Sequence, residues 1–403
     1  MSPRKYVPLI VVVLLLSSLL LIPYSRSIQS SLPSPPQGYE AFSGFDGPLP
    51  DKPVVELHAS VSVTAEQFLE LQRRNRTFMA DHPHIVVHLT NEPDFSSAHD
   101  NWERNSSVGD GADMLLLHNE WVMPFAVRGF LKPVDSKLAN EGLPQHASGW
   151  LEPLKWNGYL WGVPYDINPY ALLWNKSMLA EAGMSEEPQD WGSFLALVQL
   201  LSEGEEEATL LNLSPDDIEQ LLVWLEKFRK DEEASAMKLE MTGEQQERLI
   251  WLSAQQERIG TLSLQQLNQI MQAIKEDRLL SLILPWHMYE GLDNAVKRSL
   301  IVDQKGFAHP WISGSSYVIG ADCQAEQEAM QWIEAMVQQG GRSFPALAYM
   351  EEEQQLYKTD PGWPDRKRLL EGLWGRYARK EIAMDAFIAE LAHPSGEGAA
   401  RPE

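Results

Sequence analysis

The sequence predicts an α/β protein. Short apolar runs of strand length recur at 54–57, 84–89, 114–117, 279–284 and 316–319. Segments whose apolar residues recur at helical spacing lie between them. Two of the runs, His84–Leu89 and Met114–Leu117, are of the kind buried parallel strands use. Strands alternating with helices indicate a sheet covered by helices.

Taken in chain order, the first 30 residues read as targeting. Arg4 and Lys5 give a positive start, and no charge follows from Tyr6 to Ser25. Its apolar core, Leu9–Ile22, fits a cleaved secretory signal or a retained membrane anchor. Either reading exports the bulk of the chain. Residues 31–52 form a Pro/Ser/Gly-rich tether without hydrophobic period. Val54–Leu57 is the first strand candidate. Thr64 with Gln67 three residues on is a capping box that opens a helix, whose inward side carries Phe68, Leu71, Phe78 and Met79. Ligands of open α/β sheets sit beyond the carboxyl ends of strands. That rule singles out His58–Ser60 and His118–Trp121, the segments after two such runs.

The middle of the chain is different. Residues 201–260 hold 15 acidic and 6 basic side chains. Ile218, Leu221, Leu222, Leu225 and Phe228 mark an amphipathic helix there, expected to present an acidic, solvated outer face. Leu279–Leu284 is a strand ending in Pro285-Trp286. Ser316–Ile319 is another, followed by a helix over Cys323–Gln339 with Ala329, Trp332, Ile333, Met336 and Val337 inward and Gly340-Gly341 at its end. A final helix is expected over roughly 366–391, and 392–403 as a disordered tail.

Composition excludes several function classes. The net charge of −24 argues against nucleic-acid binding, which needs a surplus of Lys and Arg. The lone cysteine, Cys323, forbids an intramolecular disulfide, a Cys₄ zinc site or an iron–sulfur cluster. The chain has no G-x-S-x-G, H-E-x-x-H, P-loop or G-x-G-x-x-G pattern. No enzyme activity, cofactor or metal is therefore expected. His82, His84 and His88 read as solvated histidines around a strand entry rather than metal ligands.

A resemblance rests on three stretches. They are Ala112-Asp113-Met114-Leu115-Leu116-Leu117-His118-Asn119-Glu120-Trp121 with Gly129-Phe130-Leu131-Lys132-Pro133-Val134-Asp135, then Gly158–Asn168, then Leu173-Trp174-Asn175-Lys176 through Ala182-Gly183. Together they resemble the bacterial extracellular solute-binding proteins of family 1, the maltose-binding-like group. The likeness is strong over 53–200, moderate over 279–340, and poor over 201–278 and beyond 345. It implies a type II periplasmic-binding-protein fold, with two α/β lobes joined by a hinge of crossing strands. The crossings are expected near Tyr165–Asn168, Ser299–Gln304 and Arg342–Pro345. Lobe 1 would be 53–165 with 304–342, and lobe 2 would be 166–303 with 343–391.

The implied function is an extracytoplasmic receptor of an ABC importer, taking a sugar or oligosaccharide and docking on permease subunits as a monomer. A signalling module that docks on a membrane sensor is the alternative. The resemblance also supplies candidate ligand contacts. Glu120 occupies a slot for an acidic acceptor of hydroxyl hydrogen bonds; otherwise it is a solvated loop carboxylate. Asn168, at the first crossing, either contacts solute or caps a turn before Pro169. Trp286 is a stacking platform or a buried aromatic. His58 and Ser60 follow the first strand where the family lines its cleft, and Trp311 and Ser315 complete the set. Trp121 is read equally as a helix anchor or a platform, and Tyr165 and Asp166 as hinge.

Overall fold

The computed structural model describes residues 53–134, 151–202, 208–228, 243–303, 312–339 and 361–392. The expected signal or anchor, the tether, Trp311, the Gly340-Gly341 stop, the crossing at 342–345 and the tail beyond 392 lie outside these residues. No helix among the described residues is long and apolar enough to cross a membrane.

The chain opens with β1 (Val55–Val61), α1 (Ala65–Asp81), β2 (Ile85–Asn91), α2 (Phe95–Ser107), β3 (Met114–His118), α3 (Asn119–Val127) and β4 (Leu131–Lys132). The capping box forms as the sequence predicts: Gln67 N donates to Thr64 Oγ1 and Thr64 N to Gln67 Oε1. Such reciprocal bonds satisfy two otherwise orphaned donors of the first turn. A hairpin of β5 (Lys155–Trp156) and β6 (Tyr159–Leu160) turns on Asn157 and Gly158, both at positive φ. That conformation is what a tight two-residue turn demands. β7 (Val163–Pro164) then leads to β8 (Asn168–Asn175).

The second half holds α4 (Lys176–Glu181), α5 (Trp191–Ser202), β9 (Leu211–Asn212), α6 (Ile218–Glu226), α7 (Gly243–Ala254), β10 (Ile259–Gly260) and α8 (Leu267–Lys275). It continues with β11 (Ser281–Pro285), α9 (Trp286–Gly291), α10 (Asn294–Arg298), β12 (Leu300–Val302) and β13 (Ile312–Ser313). β14 (Ser315–Gly320), α11 (Glu326–Gln339), α12 (Trp363–Ala378) and α13 (Met384–Ala392) complete it.

Two six-stranded sheets result. The first runs β2-β1-β3-β14-β4 with β7 beside β14; the second runs β10-β9-β11-β8-β12 with β13 beside β8. β1, β2 and β3 are parallel, and β14 enters against them. In the second sheet β8 alternates between two cores. Tyr170, Leu172 and Trp174 join one, packed with α5, α6, α12 and α13. Ala171 and Leu173 join the other, packed with α8 and α10. Side chains two apart share a face of a strand, so one strand welds both layers. Inside the first of these cores Lys227 and Asp303 pair at 2.7 Å with both side chains fully buried, and Trp174 Nε1 donates to the same carboxylate.

The sheets are joined by crossing segments at 165–167 and at Gly314. Tyr165 N donates to Ser315 O at 2.8 Å, and Ser313 Oγ donates to Asn168 O at 2.6 Å. Gly314 sits at φ +133°, and a Cβ there would lie 2.5 Å from the carbonyl oxygen of Asp166. Only glycine lets the two crossing backbones approach so closely.

Several expectations are corrected. The second crossing is at Gly314 rather than near 304, because Ile312 and Ser313 still pair with β8. β1 extends to Val61, so His58 and Ser60 lie within the strand, not beyond it. His118–Trp121 is no loop, since α3 starts at Asn119. The single C-terminal helix is two, interrupted where Lys380 takes φ +61°. The largest correction concerns α6. All nine of its residues are buried, where an acidic solvated face was expected. The second sheet, α7 and α12 enclose it. Its buried Gln220 finds partners instead of water: the amide donates to Ile283 O and accepts from Ser214 N. α11 keeps its expected face, with Ala329, Trp332, Ile333, Met336 and Val337 all at most 2% exposed. Cys323 is buried, and burial pushes its thiol up to about 11, which leaves it unreactive.

Candidate functional site

A cavity of about 430 Å³ lies between the sheets, beside the crossings. From the first sheet it takes the end of β3 and the start of α3, through His118, Asn119 and Glu120. From the second it takes Asn168 and Tyr170 on β8, the segment entering α6, and Lys367 and Glu371 on α12. His118, Asn119, Glu120 and Asn168 stand at a strand end or in a first helical turn, where ligands of such sheets gather; Lys367 and Glu371 reach in from further along α12.

One ammonium ties the two halves together. Lys367 Nζ donates to Glu219 Oε1 at 2.7 Å and to Glu120 Oε2 at 3.0 Å. Glu219 belongs to α6, beside α12 in the same core, whereas Glu120 comes from α3 against the other sheet. Their side chains are 18% (Lys367), 16% (Glu120) and 7% (Glu219) exposed. Burial opposes the charge on Lys367, but Glu219 and then Glu120 outweigh it and raise its pKa. Burial pushes Glu120 up, against the pull of Lys367. Asp217 is pushed to about 7, first by burial and then by Glu219. It caps α6 by accepting from Glu219 N, and it accepts from Tyr170 Oη at 3.0 Å. Too many carboxyls share too little solvent for all to ionise freely.

The histidines do not offset this negative charge. Burial and then Lys367 lower His118 to about 4, so its ring is neutral, stacked on Phe95. His287 is likewise lowered by burial. Asn168 holds it twice: Asn168 Oδ1 accepts from His287 N at 2.9 Å, and Asn168 Nδ2 lies 2.7 Å from His287 Nδ1. With Nδ1 accepting, the ring proton sits on Nε2. A second cavity of about 260 Å³ adjoins the first, with Glu120 and Lys367 in the wall between them.

The candidates from the sequence scatter. Glu120 and Asn168 line the cavity. Ser315 does not; its N–H bonds the Asp166 carboxylate in the crossing, while its neighbours Ser313 and Gly314 face the cavity. Asp166 keeps an exposed surface at the crossing, and desolvation by the surrounding protein raises it to about 6. His58 stacks on His88 at 5.0 Å along the exposed side of β1 and β2, and Ser60 pairs in register with Thr90 and Leu115. Neither reaches the cavity, because the strand continues past them. Trp286 is corrected as a platform: it is 3% exposed and packs on Tyr289. It continues the Leu282 and Leu284 side of β11 into the core under α8. Trp121 is core as well, 8% exposed, with its ring on His99. Trp311 lies outside the described residues.

Sequence reasoning missed Lys367, Glu219, Asp217 and Tyr170. Asp217 directly precedes an apolar-periodic run, which is a legible cap signal. Lys367 carried no signal, since nothing local distinguishes it from its neighbours Arg366 and Arg368.

The comparisons with known proteins follow this geometry. A family model described as bacterial extracellular solute-binding protein matches residues 75–341, more than half of the chain. The maltotriose-binding protein of Pyrococcus abyssi is 24% identical over 104 residues, which is 26% of this chain and 22% of that protein. The match thus spans about a fifth of that relative's length. Among solved structures, the sugar-binding protein MalE of Xanthomonas citri superposes with a TM-score of 0.63 at 18% identity, covering 84% of this chain and 95% of that one. The galacto-N-biose/lacto-N-biose I-binding protein of Bifidobacterium longum gives 0.62 at 15% identity, covering 85% and 96%. These likenesses establish a shared fold of two α/β lobes joined by crossing strands. With the family match over 75–341, the chain belongs to the bacterial extracellular solute-binding proteins.

Proposed function

We propose that the chain is the extracytoplasmic receptor of an ABC importer and takes up a sugar or oligosaccharide by closing its lobes around it. The carrying observation is the cavity of about 430 Å³ that both lobes line, bridged across by Lys367 and Glu120. Its volume falls within the ~300–1,000 Å³ range of small-molecule sites. Its walls are rich in acceptors that pair with hydroxyl groups, and an enclosed polar group gains most from such pairing. A solute touching both walls favours the closed form by its differential affinity. The lobes divide as 53–165 with 314–339, and 166–313 with 361–392. Glu120 and Asn168 are solute contacts in this reading, joined by Lys367, Asp217 and Tyr170, and the role requires no catalytic step. The receptor acts as an exported monomer and hands its solute to permease subunits. The names of the relatives, which include sugar- and maltotriose-binding proteins, support the choice of solute.

The test is a thermal melt of the full chain against a sugar library. A ligand that binds only the folded state adds about 2.7 kcal/mol of stability at 100-fold over its Kd. At least one sugar is expected to raise the melting temperature in a saturable way. A library without any such sugar sinks the sugar-receptor reading.

A further inference from the structure

We infer that the second cavity, of about 260 Å³, binds a further, uncharged unit of the solute, whose hydroxyl or amide group pairs with Trp121 Nε1 and His99 Nε2. The inference rests on the receptor reading above and adds that the solute has at least two units.

His99 on α2 and Trp121 on α3 line this cavity, 3% and 8% exposed, with ring centroids 3.4 Å apart. Neither His99 Nε2 nor Trp121 Nε1 has a hydrogen-bond partner among the described residues. Buried polar atoms are nearly always paired, so two orphans on neighbouring rings call for a partner from outside the chain. The indole N–H can only donate. His99 Nδ1 lies 3.7 Å from Asp100 Oδ1, and a carboxylate on that side favours the ring proton there, which leaves Nε2 as an acceptor. Desolvation keeps this ring neutral, with its pKa lowered to about 4. The two atoms thus require one acceptor and one donor together. An ammonium cannot accept from Trp121, and a carboxylate cannot donate to His99; a hydroxyl or a secondary amide does both. Phe95, stacked on His118 at 3.7 Å, and Pro364 add apolar surface for the C–H face of a sugar ring.

The second cavity is continuous with the cleft, since His118, Glu120, Lys367 and Glu371 line both. Their partition is the Lys367–Glu120 pair, which joins one lobe to the other. Phe95, His99 and Trp121 belong to the first lobe, and Pro364 and Arg368 to the second. Parting the lobes therefore opens both chambers to a single solute.

The experiment is calorimetric titration of the full chain and its Trp121→Phe variant, which keeps an aromatic ring without the N–H. The probes are glucose with maltose, and N-acetylglucosamine with N,N′-diacetylchitobiose and its doubly deacetylated diamine. The neutral disaccharide of at least one series is expected to bind the wild type at least tenfold tighter than its monosaccharide, and the diamine more weakly than its diacetyl form. Tight maltose upholds the inference with a hydroxyl in the second cavity, and tight diacetylchitobiose upholds it with an amide. Trp121→Phe should narrow the disaccharide-to-monosaccharide ratio at least threefold; if that variant fails to fold, the same narrowing is read in His99→Phe. Monosaccharides that match their disaccharides, a diamine that binds tightest, or a ratio untouched by the substitution overturns the inference and leaves the receptor reading standing. Binding of none of the probes also overturns it, and the melt against the wider sugar library then decides the receptor reading by itself.

Discussion

Replacing Lys367 by Met removes the ammonium that two carboxylates from different lobes share. The side chain and its partners are at most 18% exposed, so solvent screens the loss poorly. Breaking one member out of a largely buried ion cluster costs about 3–5 kcal/mol, because the remaining charges lose their compensation. Glu120→Gln is milder, since Lys367 keeps Glu219 at 2.7 Å. A double-mutant cycle separates the two parts: Lys367→Met, Glu120→Gln and the pair together, measured by urea unfolding. We expect a coupling of about 1–3 kcal/mol between Lys367 and Glu120, in the range of contacting partners. A second cycle with Glu219→Gln is the control, because that pair lies within one lobe and forms whether or not the lobes meet. Strong coupling to Glu219 with additive behaviour for Glu120, within about 0.5 kcal/mol, would mean that the bridge does not close the cleft in solution.

Two further predictions concern pH and packing. Asp217 has a folded pKa of about 7 against an ordinary 3.8. The folded chain therefore keeps a proton there that the unfolded chain has released, and the stability from this group is complete below about 3.8 and lost as pH rises through 7. His118 works in the opposite sense: with a folded value of about 4 against 6.5, it adds stability as pH climbs through that window. Asp217→Asn should remove the falling component, so the variant gains on the wild type by a few kcal/mol between pH 4 and 7. Parallel stability–pH curves for the two proteins would refute the assignment. Trp286→Ala should cost about 3–5 kcal/mol by leaving a cavity in a core where the ring is 3% exposed. A melting temperature unchanged by that substitution would place the ring outside the core.

The cleft shows why an acidic chain needs its few cations in particular places. The net charge of −24 is a property of the whole sequence, yet its consequence is local. Where α3, α6 and α12 meet, a single lysine serves two carboxylates while a third carboxyl, Asp217, retains a proton near neutrality. The buried pair of Lys227 and Asp303 behaves otherwise: one cation, one anion and a donating Trp174 close the account inside a core. That pair is balanced one to one, whereas in the cleft one ammonium is shared between two carboxylates.

Much of this protein was determined by its sequence alone, wherever the determinant was local. Thr64 and Gln67 lie three residues apart and cap α1 by themselves. The inward face of α11 follows from one helical period, and the apolar runs at 114–117 and 279–284 mark β3 and β11 within two residues. The family resemblance rests on contiguous motifs for the same reason. Tertiary structure decided what depended on distant partners. Lys367 meets Glu120 across 247 positions of sequence, and no periodicity encodes that meeting. The polar residues of α6 read as solvated until a sheet and neighbouring helices enclose them. Trp286 and His58 read as cleft residues because strands end near them in the sequence, but the sheet's extent turns one into the core and leaves the other on an outer face. A chain states its own periods and caps; which charges share a cavity is fixed only when the lobes are packed.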